Sequence, residues 1–318
     1  MRFLSALIGT MAVTSEVKAQ ESFSEGFPTI TSALDQMFES LEPKPWGSSR
    51  CQYYYLGNRL GLVLMDSNKL LVPTDDLGVA AHIIYSCSWE PWETKLIQKL
   101  MHPQQTWIEI GANVGYYTVN MGNMLRDGGK LYSFEASPRL FHMLSDSVYM
   151  NGLRDTVILS DRAVWNTNDK EITFVEPDNR YVGGSRVAYE GKDAAEAAQG
   201  ITVSVKTITL DTAIDNKEHG TVDFLKMDVE GAECSILHGA PSILSKSKNL
   251  SIIMEWNIAM QKAAGSDPKE CLTYLAGYGL DQLYIVKGEG ELIESNLDYL
   301  TKTDEHLDIF VTKSGSVA

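Results

Sequence analysis

Positive charge is scarce in this chain. Its 27 Lys and Arg stand against 42 Asp and Glu, a formal net charge of −15 at pH 7 over 318 residues. A surface this acidic repels phosphate backbones and anionic lipid heads, so nucleic acid and membranes are excluded as first-choice partners. Clustered metal ligands are missing too. Cys51, Cys87, Cys234 and Cys271 form no CxxC pair, and the six histidines have no HxxxH or HExxH spacing, which leaves no ordinary zinc site. Cysteines scattered in this way read as reduced thiols, and reduced thiols favour a cytoplasmic protein. The uncharged run from Phe3 to Ser15 is shorter than the roughly 20 residues that span a bilayer. With Arg2 before it and Val17-Lys18-Ala19 after it, residues 1–19 have the outline of a secretory signal. A buried or amphipathic first helix is the plainer reading and the one favoured.

What is present falls into three parts: a helical extension at 1–45, a β-rich preface with a helix at 46–100, and an α/β domain at 101–318. In the extension, Ile30, Leu34, Met37, Phe38 and Leu41 share one helical face. The preface reads as four short strands, "CQYYYL", "LGLVLM", "KLLVP" and "AHIIYSC", followed by the helix "EPWETKLIQKLM". From residue 105 strands and helices alternate. Strands are expected at 106–110, 130–135, 156–160, 222–227 and 250–256, and helices near 114–126, 138–151, 232–245 and 268–278. Such alternation implies a mostly parallel sheet covered by helices on both faces. "RAVWN" and "KEITFVE" are expected to form a hairpin, 177–200 a polar insertion, and "ITVSVKTITL" a further strand pair. "DQLYIVKG" and "HLDIFVTK" close the sheet.

"TWIEIGANVGYYT" at 106–118 is a strand, a glycine turn and a helix start. In an α/β sheet such a turn, at the carboxyl end of the first strand, faces a ligand. Gly111 and Gly115 permit positive φ and close backbone approach, and the following helix points free N–H groups into the turn. A dinucleotide site would need glycine at 113 and 116, where the chain has Asn113 and Tyr116; no GxxxxGK[ST] loop occurs either. S-adenosylmethionine remains. It has no pyrophosphate, and its sulfonium tolerates an acid such as Glu109. Glu135 ends the next strand, where a carboxylate can accept both hydroxyls of a ribose. The competing role for Glu135 is to cap the helix that begins at Pro138.

In order, "EPWET", "IEIGANVGYYT", "FEASP", "NGLRDTVILSDRAVWN", "GGSR", "ITLDT", "VDFLKMDVEGAECSILHGA" and "IIMEWN" resemble the FkbM-type methyltransferases, a branch of the class I S-adenosylmethionine-dependent enzymes, over roughly residues 56–313. The resemblance implies a Rossmann-like, mostly parallel seven-stranded sheet with its last strand antiparallel, and methyl transfer, usually to a hydroxyl oxygen. It implies that Glu109, Gly111, Asn113 and Gly115 form the methionine-side cofactor turn. By the same likeness Glu135 is the ribose ligand, the segment Asp161, Arg162 and Ala163 the adenine edge, and Asp228 the residue flanking the sulfonium. The extension and the insertion depart from lean relatives, so the acceptor is not implied.

A hydroxyl acceptor benefits from a base. Asp228, Glu230 and Glu233 lie within one turn in "MDVEGAE", and Glu255 ends the neighbouring strand. The catalytic candidates are Asp228 at the centre and Glu230 or Glu255 as base. No metal is assigned, because each acid also has a structural use: bonding the cofactor's ammonium, fixing the loop, or pairing with Lys226 or Arg162. Lys226 is expected to point away from Asp228. Ser185 and Arg186 read as a lid or as a surface turn. Among the tryptophans, Trp46, Trp89, Trp92, Trp165 and Trp256 are candidates for an acceptor-stacking face and Trp107 for the core, while His238 is a helix-end residue. The leading function is an O-methyltransferase acting on a small molecule or glycan. N-methylation of an amino sugar or amino-acid derivative, or cofactor binding without turnover, are the alternatives. The preface offers a surface for a homodimer.

Overall fold

In a computed structural model of the chain, the described residues are 51–65, 68–125, 127–176, 181–188, 201–214 and 221–314. The chain divides into units 1–48 and 49–318, and every described residue belongs to the second. The expected first helix, Trp46 and most of the 177–200 insertion lie outside the described residues.

Strands β1 (Cys51–Gly57), β2 (Leu60–Met65) and β3 (Asn68–Pro73) make an antiparallel meander. Helices α1 (Val79–Ser86) and α2 (Pro91–Leu100) follow. The fourth strand expected at "AHIIYSC" is therefore helix. Its β-branched residues suggest a strand, but Val79, Ala80 and Ile83 are the buried positions, an i, i+1, i+4 pattern that suits one helical face. The meander is tied to the domain through β3. Leu71 N donates to Ser147 Oγ at 3.0 Å, and Lys69 N to Asn151 Oδ1 at 2.9 Å.

Then come β4 (Thr106–Ile110), α3 (Tyr116–Met124), β5 (Lys130–Phe134), α4 (Pro138–Met150), β6 (Val157–Ser160), β7 (Ala163–Val164), β8 (Glu171–Glu176), β9 (Arg186–Val187), β10 (Ile201–Ile208), α5 (Leu210–Ala213) and β11 (Phe224–Met227). The rest is α6 (Glu233–His238), α7 (Pro241–Lys246), β12 (Ser251–Trp256), α8 (Ile258–Ala263), α9 (Pro268–Ala276), β13 (Leu280–Lys287), β14 (Glu291–Glu294), α10 (Leu297–Leu300) and β15 (Leu307–Lys313). Local chemistry sets the ends. Ser137 caps α4 by accepting from Leu140 N, with Pro138 in its first turn, and Gly152, at φ +65°, lets the chain leave it.

The main sheet has the order β14-β13-β15-β12-β11-β4-β5-β6. Strands β6, β5, β4, β11 and β12 run parallel, and β15 pairs antiparallel with both β12 and β13. This is the expected Rossmann-like α/β sheet with eight strands rather than seven. The addition is β14, which hairpins onto β13 at the edge. Central strands are buried on both faces. Phe224 and Trp107 pack in one core cluster, Leu225 and Ile108 in the other, as the two-residue alternation of a strand requires.

The hairpin expected between "RAVWN" and "KEITFVE" does not form. The chain wraps round the end of β10, with Trp165 N bonded to Ile208 O and Asp169 N to Thr207 O. Thus β7 pairs parallel and β8 antiparallel with that one strand. "ITVSVKTITL" is β10 followed by the Thr209 cap of α5, not two strands.

The cysteines overturn the reduced-thiol expectation. Cys51 is bonded to Cys87, and Cys234 to Cys271, with Cα atoms 5.5 and 5.4 Å apart, the usual disulfide spacing. Among the described residues no helix is long and apolar enough to cross a membrane.

Candidate active site

Strand order reverses at β4, which lies between β5 and β11. A ligand crevice is expected beyond the carboxyl ends of the strands at such a switch. A cavity of about 540 Å³ opens there, lined by Gly111, Asn113, Glu135, Arg162, Asp228 and Glu255 among others.

Both turn glycines have positive φ, +83° at Gly111 and +93° at Gly115. Their demand for glycine comes from the protein itself rather than from a ligand. A Cβ on Gly111 would stand 1.9 Å from the Asp228 carbonyl oxygen, and one on Gly115 would stand 2.6 Å from Leu144 Cδ1. The turn is thus locked between β11 and α4. Asn113 takes φ +53°, a region its short polar side chain tolerates, and its Oδ1 accepts from Val114 N.

Glu135 sits where the sequence placed it, at the carboxyl end of β5. Its Oε2 accepts from Asn113 N and its Oε1 from Ser137 N, each at 2.7 Å. It therefore braces the glycine turn and the start of α4 while lining the cavity. Burial raises its carboxyl to about 7.

Glu109 is a correction. It is buried below the turn and does not line the cavity. Its Oε2 accepts from Thr118 Oγ1 at 2.5 Å and Ser133 Oγ at 3.0 Å, so it joins β4 to α3 and β5. Asp161 also stays off the cavity, whereas Arg162 and Ala163 line it.

Further acids line the cavity: Glu90, Glu93, Asp228, Glu230, Glu255 and Asp308. Alternation along β11 puts Phe224, Lys226 and Asp228 on one face, so Lys226 does not turn away from Asp228. Its Nζ lies 3.1 Å from Glu93 Oε2 and 3.8 Å from Asp228 Oδ2. It also stands 4.5 Å from the centroid of the Tyr117 ring, a cation–π distance. Glu255 pairs with neither Lys226 nor Arg162. It pairs with His306, which the register of β12 against β15 delivers, along with Asp308. Trp92 Nε1 donates to Asp308 Oδ2 at 2.7 Å.

Mutual repulsion and burial shape the charges. Burial, with Glu255 next, raises Asp228 to about 7 and Glu230 to about 8. Glu233, reached first by burial and then by Glu255, rises to about 8. The hydrogen bond to Glu255 raises His306 to about 9. Glu90, which opens α2 at φ +40°, is raised to about 9 by burial and Glu93.

Sequence reading missed Glu90, Glu93, His306 and Asp308. The first two lie in "EPWET", a quoted motif that carried a signal; the last two depend on strand pairing. Of the tryptophans, Trp89 and Trp92 line the cavity. Trp107 and Trp256 are fully buried, and Trp256 Nε1 donates to Leu300 O. Trp165 packs against the core at the edge of a cluster. Ser185 and Arg186 line the cavity, following a 3-10 turn at Val182–Gly184. His238 ends α6.

A mostly parallel sheet with a crevice at its switch point, a carboxylate closing the second strand and an acidic loop closing the fourth define a cofactor-binding transferase architecture. The Methyltransferase FkbM domain matches residues 109–284, more than half of the chain, and the chain belongs to that family. It is a methyltransferase that uses S-adenosylmethionine. No curated protein matches significantly. Similar solved structures include the M. jannaschii protein TYW2 in complex with AdoMet, 12% identical over 81% of this chain and 88% of that one, TM-score 0.41. Another is the O-methyltransferase from Bacillus cereus in complex with SAH, 16% identical over 74% and 86%, TM-score 0.39. The residues present fit the cofactor: Glu135 offers a carboxylate for a diol, and Asp228 an acid for a cationic group, both in the cavity wall.

Proposed function

We propose that the chain is an O-methyltransferase acting on a hydroxyl of a small molecule or glycan. The observation that carries this reading is the group Asp228, Glu230 and Glu255 in the cavity wall, with two of the three carboxyls raised to about 7 and 8. A base whose proton leaves near neutrality is matched to removing a hydroxyl proton at working pH. Bound S-adenosylmethionine supplies an electrophilic methyl carbon. Asp228 faces the reacting centre, and Glu135 holds the ribose. Glu255 already bonds His306, so Glu230, half-buried at the cavity wall, takes the acceptor's proton. Trp89 and Trp92 give the acceptor apolar surface. The acidic surface supports a small acceptor over nucleic acid.

Labelled methyl transfer against panels of hydroxylated glycans, other alcohols and amines tests this. Labelled ethers are expected, with a rate at least about 100-fold lower for Glu230→Gln. Label found only on nitrogen would instead establish the N-methyl alternative. In calorimetry Glu135→Ala is expected to weaken S-adenosylmethionine by about tenfold or more, the loss of charge-assisted hydrogen bonds.

The two disulfides support residence in an oxidising compartment, in place of the cytoplasm that the reduced-thiol reading favoured.

A further inference from the structure

We propose that Asp228, Glu230 and Glu255 bind a hard divalent cation, Mg²⁺, Mn²⁺ or Ca²⁺, on the acceptor side of the cavity. Each residue offers one carboxylate oxygen, and the three oxygens lie within 4.8 Å of one another. Among the described residues this is the one such group of acidic, histidine or cysteine side chains. An all-oxygen donor set selects hard cations over zinc or copper, and metal–oxygen bonds of about 2.0–2.6 Å let one ion reach all three with small side-chain adjustment.

A cluster of acids alone is weak support, because solvated acids need no ion. Glu255 supplies the independent observation. It is only 9% exposed and lines the cavity. One of its oxygens is held by His306, while Oε2 is buried with no hydrogen-bond partner. An unmatched buried carboxylate oxygen is costly, and native proteins satisfy such atoms with a donor, a water or an ion. The nearby positive charges are committed elsewhere or insufficient. Lys226 is closer to Glu93 than to Asp228, and the ion pair of His306 is with Glu255.

The backbone supports a fixed site. Asp228 and Glu255 follow the paired residues Met227 and Met254 of adjacent parallel strands, so two of the three ligands stand on the rigid sheet. Glu230 comes from the loop after β11, held at φ +57°. With the cation bound, Glu230 is a ligand and loses its raised affinity for a proton, so the base role given to it above belongs to the cation-free site. That the cation presents an acceptor hydroxyl to the methyl group rests on the methyl-transfer reading above; cation binding itself does not.

The test is titration of the full chain with Mn²⁺ in the absence of cofactor, followed by the loss of the free-ion EPR signal. One ion per chain is expected, with a dissociation constant below about 1 mM. Glu255→Gln and Glu230→Gln are each expected to weaken binding by about tenfold or more while retaining a cooperative melt. Should the buried Glu255 variant fail to fold, the half-exposed Glu230 variant decides. No saturable binding below about 1 mM, or binding unchanged in both folded variants, overturns the site. Calorimetry with S-adenosylhomocysteine separates the two ideas. Its binding without Mn²⁺ binding removes the cation alone, and Mn²⁺ binding without it upholds the cation site and removes the methyl-transfer reading.

Discussion

Lys226 Nζ lies 3.1 Å from Glu93 Oε2, and both side chains are almost wholly buried. This pair joins α2 of the preface to β11 at the centre of the sheet, in the wall of the cavity beside Asp228. The preface is thus part of the site's foundation. Breaking such a pair leaves the buried Lys226 ammonium with only its longer contact to Asp228, 3.8 Å away, so Glu93→Leu is expected to cost up to about 3–5 kcal/mol in chemical denaturation. Glu93→Leu combined with Lys226→Met removes both charges and is expected to cost less than Glu93→Leu alone. A double variant no more stable than the single one would mean that the pair is not the link described here.

The glycine turn gives a second prediction. At Gly111 an alanine meets both a positive φ and a backbone oxygen 1.9 Å from its Cβ. At Gly152 φ is also positive, but nothing lies within 4 Å. Gly152→Ala therefore measures the conformational cost by itself, about 1–2 kcal/mol. Gly111→Ala must in addition push β4 and β11 apart, and it is expected to exceed that cost and to weaken cofactor binding. Equal melting temperatures for the two variants would refute the close approach of the turn to Asp228.

The elements most legible in the sequence were those specified locally. "TWIEI" is a continuous apolar run apart from its acid, and it ends at a glycine turn, so β4 was read at its observed bounds. Ser137-Pro138 announced α4 just as directly. What was not legible depends on pairing across the sheet. The resemblance implied an antiparallel last strand, but nothing near Glu255 in the chain fixes the register of β15 beside β12 that sets His306 and Asp308 against it. Glu109 misled because a turn acid and a buried strand acid have the same spacing; Thr118 and Ser133 claim it only once α3 folds back. The cysteine pairs, 36 and 37 residues apart, carry no local signal at all.

Glu109 and Glu135 also predict a pH dependence. Both carboxyls are raised by burial from 4.5 to about 7, so the folded chain holds protons that the unfolded chain releases. Their contribution to stability is fully present below about pH 4.5 and is lost as pH rises through about 7. The melting temperature of the cofactor-free protein is therefore expected to fall across that window. Glu109→Gln, whose amide oxygen still accepts from Thr118 and Ser133, is expected to flatten the slope. A melting temperature that climbs from about pH 5 to 7, equally in both proteins, would contradict the assignment.

The two disulfides differ in access, and that difference is measurable. Cys234 and Cys271 are 3% and 2% exposed within the core cluster behind β11 and β12. Cys51 and Cys87 are only partly buried, where β1 meets the end of α1. Thiolate attack requires contact with a sulfur atom. Mild dithiothreitol followed by alkylation and mass spectrometry should label Cys51 and Cys87 first and leave the other pair intact until the protein unfolds. Because Cys87 lies just before Trp89 and Glu90 of the cavity wall, that first reduction is expected to weaken cofactor binding before the fold is lost. Removing the inner pair by Cys234→Ala with Cys271→Ala is expected to cost about 2–5 kcal/mol. Four thiols alkylated when the protein is denatured without reductant would show that neither bond forms.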